Sequence, residues 1–464
     1  MTEVLSGVEE ALIERLGAVL PPQALLTGER IDPRYQEDRR DRFSARPRFV
    51  LRPATTQQVS DALRLCDAAG QRVVVHGGRT GLSGAHRIVE GEAVLSLERM
   101  TAVGAVSTES ATVLAEAGAP LQAVQEAASA AGFTFGVDIG ARGTATIGGN
   151  IATNAGGIRV LRYGMFRAQV AGLEAVLADG TILSGLRGLE KDNSGCDLNQ
   201  LFIGSEGTMG VVTKALLRLH PAPADAMNAL LAVPSLEAAL SLLQRLRAAL
   251  GPRLTACEVM WPGAYFGICR HQGRTPPLAT EAPFYLLAES QSPTPGGAAE
   301  GFLDTLMEGI EDGLALDAVV SQSLKEYETL WEIRDGGAEF VRHLDNTASG
   351  DISVPLTRMA DFAVASQKAV REVDPGADFY MFGHIGDGNL HYVFTTTRKE
   401  AALDRLYHVV ADHGGAISAE HGIGVDKKPW LPLARSPGEI AVMRRLKRAL
   451  DPNGILNRGR IFDL

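Results

Sequence analysis

G-V-D-I-G-A-R-G-T-A-T-I-G-G-N-I-A-T-N-A-G-G, residues 136–157, followed by Arg162-Tyr163-Gly164, is the stretch that decides the fold. Nearly every side chain in it is small or hydroxylated, too little bulk for a core and too ordered for a linker. Small residues let a flat ring lie against backbone, and Thr144, Thr146, Asn150, Thr153 and Asn154 can hydrogen-bond a heterocycle edge. Upstream, R-V-V-V-H (72–76) reads as a buried strand that runs into G-G-R-T-G-L-S-G-A (77–85). Such a loop exposes successive N–H groups with no Cβ in the way, which suits a pyrophosphate. It is not G-x-G-x-x-G, and the strand that follows (Ala93–Leu97) leaves no room for a Rossmann helix. Read alone, it is as readily an ordinary hairpin connection. A third cluster, L-F-I-G-S-E-G-T-M-G-V-V-T (201–213), again sets Gly and Thr between two apolar strands.

Taken together, the clusters fit one large planar cofactor with phosphates, and a flavin dinucleotide suits that footprint better than a mononucleotide. The rest of the composition is that of an ordinary enzyme. At 464 residues, with 45% hydrophobic and 22% charged, two domains are expected. A formal net charge of −10 disfavours nucleic acid as a partner. The four cysteines (Cys66, Cys196, Cys257, Cys269) form no C-x-x-C, which points to a reducing compartment. The N-terminus lacks the order of a signal peptide, and no apolar run reaches a membrane span, so the expectation is a soluble, cytoplasmic protein.

Residues 3–20 carry Val4, Leu5, Val8, Leu12, Ile13 and Leu16 at helical spacing, and E-D-R-R-D-R (37–42) reads as a solvated loop. Residues 48–53 read as a strand, followed by a helix capped at Thr55 or Thr56 and stopped at Gly70. After Pro221-Ala222-Pro223 the texture changes to strands (228–233, 257–261, 284–289, 350–356) interleaved with helices (235–250, 299–312, 324–335). Long connections between them suggest an antiparallel sheet with helices on one side. Near the end, G-H-I-G-D-G-N-L-H-Y (383–392) alternates as a hairpin does across the Asp387-Gly388 turn, bringing His384 and His391 to one side. With Glu420 of A-E-H-G-I-G (419–424) they form a His₂Glu set, the ligand count of a catalytic metal site. His421 is left over as a base. Asn389 either contacts the flavin or closes the turn, and Lys427 and Lys428 read as a solvated helix entry.

Residues 48–221 resemble the FAD-binding domain of the vanillyl-alcohol oxidase and p-cresol methylhydroxylase superfamily, on R-P-A-T, G-G-R-T-G-L-S-G, I-G-G-N-I-A-T-N-A-G-G, R-Y-G and I-G-S-E-G-T-M-G-V-V-T. G-H-I-G-D-G-N-L-H, A-E-H-G-I-G and D-P-N-G-I-L-N (451–457) narrow the resemblance to the FAD-linked D-2-hydroxy acid dehydrogenases, which include D-lactate and D-2-hydroxyglutarate dehydrogenases and the glycolate oxidase flavin subunit. The resemblance implies an α+β fold with a two-subdomain FAD-binding domain over 1–221 (core 45–221). An antiparallel-sheet α+β substrate (cap) domain over 222–415 carries the metal ligands, and 416–464 returns to the FAD domain. It also implies that Gly77, Gly78, Arg79, Thr80, Gly81, Leu82 and Ser83 wrap the pyrophosphate. Thr144, Gly148, Gly149, Asn150, Thr153, Asn154, Gly156, Glu206, Gly207, Val212, Asn389 and Asn457 complete the cofactor site, with FAD held non-covalently.

By the same resemblance His384, His391 and Glu420 bind a divalent metal, His421 is the base and Arg334 holds the substrate carboxylate. Imidazole and carboxylate ligands fit zinc, with manganese or iron compatible on ligand type. The implied reaction is hydride transfer from C2 of a small D-2-hydroxy acid to flavin N5, with electrons passing to a quinone or an electron-transfer flavoprotein. A homodimer is left open. Where the D-2-hydroxyglutarate pattern has Thr, Lys and Asn, this chain has Ala338, Ser349 and Val393, which favours a smaller or more apolar acid, or a diacid read by other residues. The competing readings are a flavin oxidase using O₂, a His₂Glu hydrolase and a non-catalytic subunit.

Overall fold

A computed structural model describes residues 7–37 and 44–464. Two compact units make up the chain: Met1–Ala155 with Met165–His220 and His421–Leu464, and Gly156–Gly164 with Pro221–Glu420. The first helix runs Gly7–Val19 and buries Leu12 and Leu16. Val4, Leu5 and positions 38–42 of the charged run lie outside the described residues, as does the side chain of Val8.

In the first unit, one four-stranded sheet has the order Leu25–Thr27, Phe49–Leu51, Ala93–Ser96, Val73–His76. Thr55 accepts from Gln58 N and so caps the helix Thr56–Ala68, and Gly70 at φ +62° ends it in the left-handed region. Val73–His76 and Ala93–Ser96 lie side by side and parallel. The glycine loop between them is therefore a crossover and not a hairpin connection, because a hairpin would return the chain antiparallel. A second, antiparallel sheet has the order Thr112–Glu116, Val211–Arg218, Val170–Val176, Ile182–Ser184. The small-residue stretch forms a short helix, Ile147–Thr153, ended by Asn154 at φ +50°. Of the two strands expected around 201–213 only the second forms. The Leu198–Leu201 segment is a 3₁₀ turn that delivers Phe202 and Ile203 to the core.

The C-terminal residues complete this unit. Leu456 bridges Val73 in parallel, Asn457 N donates to Val73 O at 2.9 Å, and Asn457 Oδ1 accepts from Val75 N at 2.8 Å. Lys427 is buried rather than solvated, and Lys428 pairs with Asp463 at 2.8 Å. Arg460 is fully buried and bonds Glu92, Ala85 O and Arg87 O. Removing one partner of such a pair strands the other charge in low dielectric. Arg460→Met is therefore expected to lower unfolding stability by about 3–5 kcal/mol. A denaturant midpoint unchanged from the parent would refute it.

The second unit is built on a seven-stranded sheet. Its order is Asp317–Val320, Asp225–Val233, Phe284–Ser292, Leu254–Met260, Phe382–His384, Asn389–Thr395, Thr347–Ser353, and every pair is antiparallel. Ser235 caps the helix Leu236–Leu250 through Ala238 N, and Gly251 follows at φ +53°. One face of the sheet carries Ala256, Met260, Tyr285 and Leu287. It packs with Tyr265 and Ile268 of the helix Pro262–His271 and Trp331 of the helix Leu324–Asp335.

Candidate active site

In the first unit a groove opens between the 77–85 loop, the 147–153 helix and the 205–212 turn. Gly77, Gly78, Arg79, Thr80 and Gly81 line it with Gly148, Gly149, Asn150, Thr153, Glu206, Gly207, Val212 and Asn457. Asn457 Nδ2 donates to Glu206 O at 2.6 Å, which fixes that wall. Glu206 Oε1 and Oε2 accept from Ile423 N and Gly424 N at 2.7 and 2.8 Å, yet burial still pushes this carboxyl up to about 7. Beside the loop, burial and then the neighbouring His86 push His76 down to about 3. Its neutral ring therefore donates from Nε2 to His86 O at 2.8 Å.

Two observations fit this groove to a flavin dinucleotide. The Asn150 amide nitrogen and the Thr146 hydroxyl are buried and have no partner among the described residues, so polar groups wait for a heterocycle edge. At Gly78 a Cβ would overlap the Thr144 carbonyl, and at Gly77 it would press on Thr146 Oγ1, so only glycine lets the loop pack directly on the 144–146 wall and keep the groove's two sides together. Gly78→Ala is expected to weaken FAD retention by one to two powers of ten, from about 1–3 kcal/mol of overpacking. The ratio of flavin to protein absorbance after gel filtration measures it, and parental loading would count against the assignment.

Some expected residues do not line the groove. Ser83 Oγ donates to Gly422 O at 2.9 Å and so ties the loop to the C-terminal segment, with Leu82 beside it. Thr144 Oγ1 bonds Ala141 O at 3.3 Å, Asn154 Oδ1 accepts from Arg167 N at 2.9 Å, and Gly156 belongs to the second unit. Val75, His86, Leu97, Ala152, Phe202 and Ser205 also line it. Of these, Val75, Leu97 and Phe202 read from the sequence as strand or core.

In the second unit the hairpin forms as its alternation requires. Phe382 pairs with His391, Gly383 with Leu390 and His384 with Asn389, and Gly388 at φ +84° makes the turn. Residues 382, 384, 389 and 391 thus share a face. His384 Nε2 lies 4.0 Å from Glu420 Oε1, and ligand atoms of His384, His391 and Glu420 all fall within 4.8 Å of one another. Gly157 N donates to Glu420 Oε1 at 2.7 Å and Glu420 N to Asp351 Oδ2 at 2.8 Å. Asn389 Nδ2 donates to Asp351 Oδ1 and Ile352 O at 2.9 and 3.0 Å, so this side chain closes the strand pairing.

Behind His384 stands a carboxylate that the sequence did not single out. Glu258 Oε1 is 2.7 Å from His384 Nδ1 and its Oε2 is 2.6 Å from Arg334 Nε. Arg334 also lies 5.1 Å over the Phe382 ring. Burial alone would lower His384, but the Glu258 charge and hydrogen bond carry it up to about 9, so the site favours positive charge there. Glu420 is raised, by burial first and with His384 opposing. Two imidazoles and a carboxylate, one imidazole backed by a second carboxylate, form a donor set that fits a divalent cation. The signal for Glu258 was a lone acid inside the apolar strand C-E-V-M-W.

Residues 222–461 match the family described as FAD linked oxidases, C-terminal domain, and residues 47–185 match FAD binding domain. The chain is 37% identical over 458 residues to D-2-hydroxyglutarate dehydrogenase, mitochondrial, of Bos taurus, covering 97% of this chain and 83% of that one. It is 39% identical over 441 residues to D-2-hydroxyglutarate dehydrogenase of Xanthomonas citri pv. viticola, covering 92% of each. Its fold is that of p-cresol methylhydroxylase, with a TM-score of 0.77 at 16% identity over 99% of this chain and 98% of that one. The chain belongs to the FAD-linked D-2-hydroxy acid dehydrogenases.

Proposed function

We propose that this enzyme oxidises a D-2-hydroxy acid of the D-2-hydroxyglutarate or D-lactate type to the 2-oxo acid, with metal assistance. The observation that carries the reading is the convergence of His384, His391 and Glu420 within 4.8 Å. When bound, FAD takes up the hydride equivalent from C2, and a divalent cation such as zinc, manganese or iron makes the 2-hydroxyl more acidic. His384, His391 and Glu420 would hold that cation. Arg334, buried, tied to Glu258 through Nε and with Nη2 3.5 Å from His384 Nε2, would take the substrate carboxylate on its terminal nitrogens. His421, one residue after Glu420, takes the hydroxyl proton on its imidazole. Residues 77–83 and the 144–154 and 206–212 segments would hold FAD non-covalently, with Asn457 closing the groove. In this reading residues 222–415 form the substrate domain, and 416–464 return to the FAD-binding domain of 1–221.

The names of the relatives support a five-carbon diacid, while one feature of the sheet supports a smaller acid. Ser349 pairs with Val393 two residues from the Asp351–His391 pair on the same face, so that wall is neutral. Electrons would leave to a quinone or an electron-transfer flavoprotein, in a cytoplasmic setting consistent with four unpaired cysteines. Among the described residues no helix is long and apolar enough to cross a membrane. The test is anaerobic flavin bleaching with D-2-hydroxyglutarate, D-lactate, D-malate and glycolate, repeated after metal removal. Bleaching by none of them would sink the reading, and stoichiometric peroxide in air would reassign the enzyme as an oxidase.

A further inference from the structure

The sheet face of the second unit that carries His384 and His391 buries Glu258, Glu289 and Asp351, and the first two are held differently. Glu289 is saturated by protein: Arg159 at 3.0 and 3.1 Å, Trp331 Nε1 at 2.8 Å, and the hydroxyls of Thr255 and Tyr327. Such a hub is structural. Among the described residues Glu258 bonds two side chains, and both belong to the reacting set: His384 on Oε1 and Arg334 on Oε2.

A carboxylate only accepts hydrogen bonds. With Glu258 ionised, the 2.7 Å contact puts a proton on His384 Nδ1. The neutral ring then has its lone pair on Nε2, the nitrogen 4.0 Å from Glu420 Oε1. The second oxygen takes Arg334 Nε, and Arg334 Nη2 comes to 3.5 Å from His384 Nε2. One side chain thereby sets both the ring that would ligate a cation and the fork that would take a carboxylate.

We propose that Glu258 is a positioning residue that fixes the ligating tautomer of His384 and aims the terminal nitrogens of Arg334 at the substrate carboxylate. The proposal rests on the metal-assisted reading above. Glu258→Gln keeps the shape, but its amide has one oxygen for two N–H groups. Whichever partner loses the oxygen faces an NH₂. If that is His384, the ring shifts its proton to Nε2 and blocks the ligand position.

The test is zinc retained per chain after dialysis against graded chelator, on protein purified with FAD. Glu258→Gln is expected to weaken zinc retention about 10–100-fold with FAD content unchanged. At saturating zinc it is expected to raise KM for the acid more than it lowers kcat. Because the single amide oxygen can serve only one of the two partners, loss on either measure supports the proposal, and parental zinc retention together with a parental KM would overturn it. If wild-type protein retains no zinc, manganese or ferrous iron, the metal-assisted reading itself fails, independently of Glu258.

Should the single variant not fold, two charge-neutral doubles decide. Glu258→Gln with Arg334→Met frees the amide oxygen for His384 Nδ1–H and is expected to hold zinc within a few-fold of wild type. Glu258→Leu with Arg334→Met offers no acceptor and is expected to lose zinc about 10–100-fold. Equal affinities in the two doubles would overturn the proposal.

Discussion

Replacing His421 by Ala is expected to slow anaerobic flavin reduction by about 10²–10⁴-fold, the span that a positioned general base contributes. The base has to be an imidazole that accepts a proton near neutral pH, and its backbone has to be held. Both neighbours of His421 are held: Glu420 N donates to Asp351 Oδ2 at 2.8 Å, and Gly422 O accepts from Ser83 Oγ at 2.9 Å. Removing the side chain should therefore leave FAD loading and metal content at parental levels while the rate falls. Stopped-flow absorbance with saturating acid measures it. Reduction within a few-fold of the parent would take the proton-transfer role away from His421.

His384→Ala is expected to be as severe for a different reason. Loss of a ligand removes the electrostatic help that makes the hydroxyl acidic, several kcal/mol or about 10³-fold in rate. It also leaves Glu258, which is fully buried, with Arg334 as its one remaining hydrogen-bond partner among the described residues. Chelated wild-type enzyme should show the same loss and recover with added zinc, whereas His384→Ala should not recover. Full activity after exhaustive chelation would end the metal-assisted reading, and with it the role assigned to Glu420 and His391.

The flavin fold was legible because glycines and hydroxyls leave a compositional mark. At 136–157 the lack of bulk announced that something else must fill the space, and Asn150 does face the groove with an unpaired amide nitrogen. The hairpin at 382–395 was legible for a similar reason, since period-two alternation and Asp387-Gly388 fix its register. What stayed hidden was long-range. Glu258 sits in an apolar strand, and only the sheet order that places Leu254–Met260 beside Phe382–His384 gives it a partner. The parallel pairing of Val73–His76 with Ala93–Ser96 was equally invisible, because strand direction is set by the crossover and not by either strand. Ser83, Thr144 and Asn154 have cofactor-like side chains, yet each is spent on a backbone group, that of Ser83 as far along the chain as Gly422.

The contact between Asn457 and the 73–75 strand has a consequence for how the enzyme is made. Val73 and Val75 leave the ribosome early, but the side chain that satisfies Val75 N and braces the Glu206 wall is translated 382 residues after Val75. At about 5–20 residues per second that is a delay of roughly 20–80 s. During this interval the nascent parallel sheet carries an open edge. The groove wall that Asn457 braces is therefore completed only once the 451–457 segment has been made.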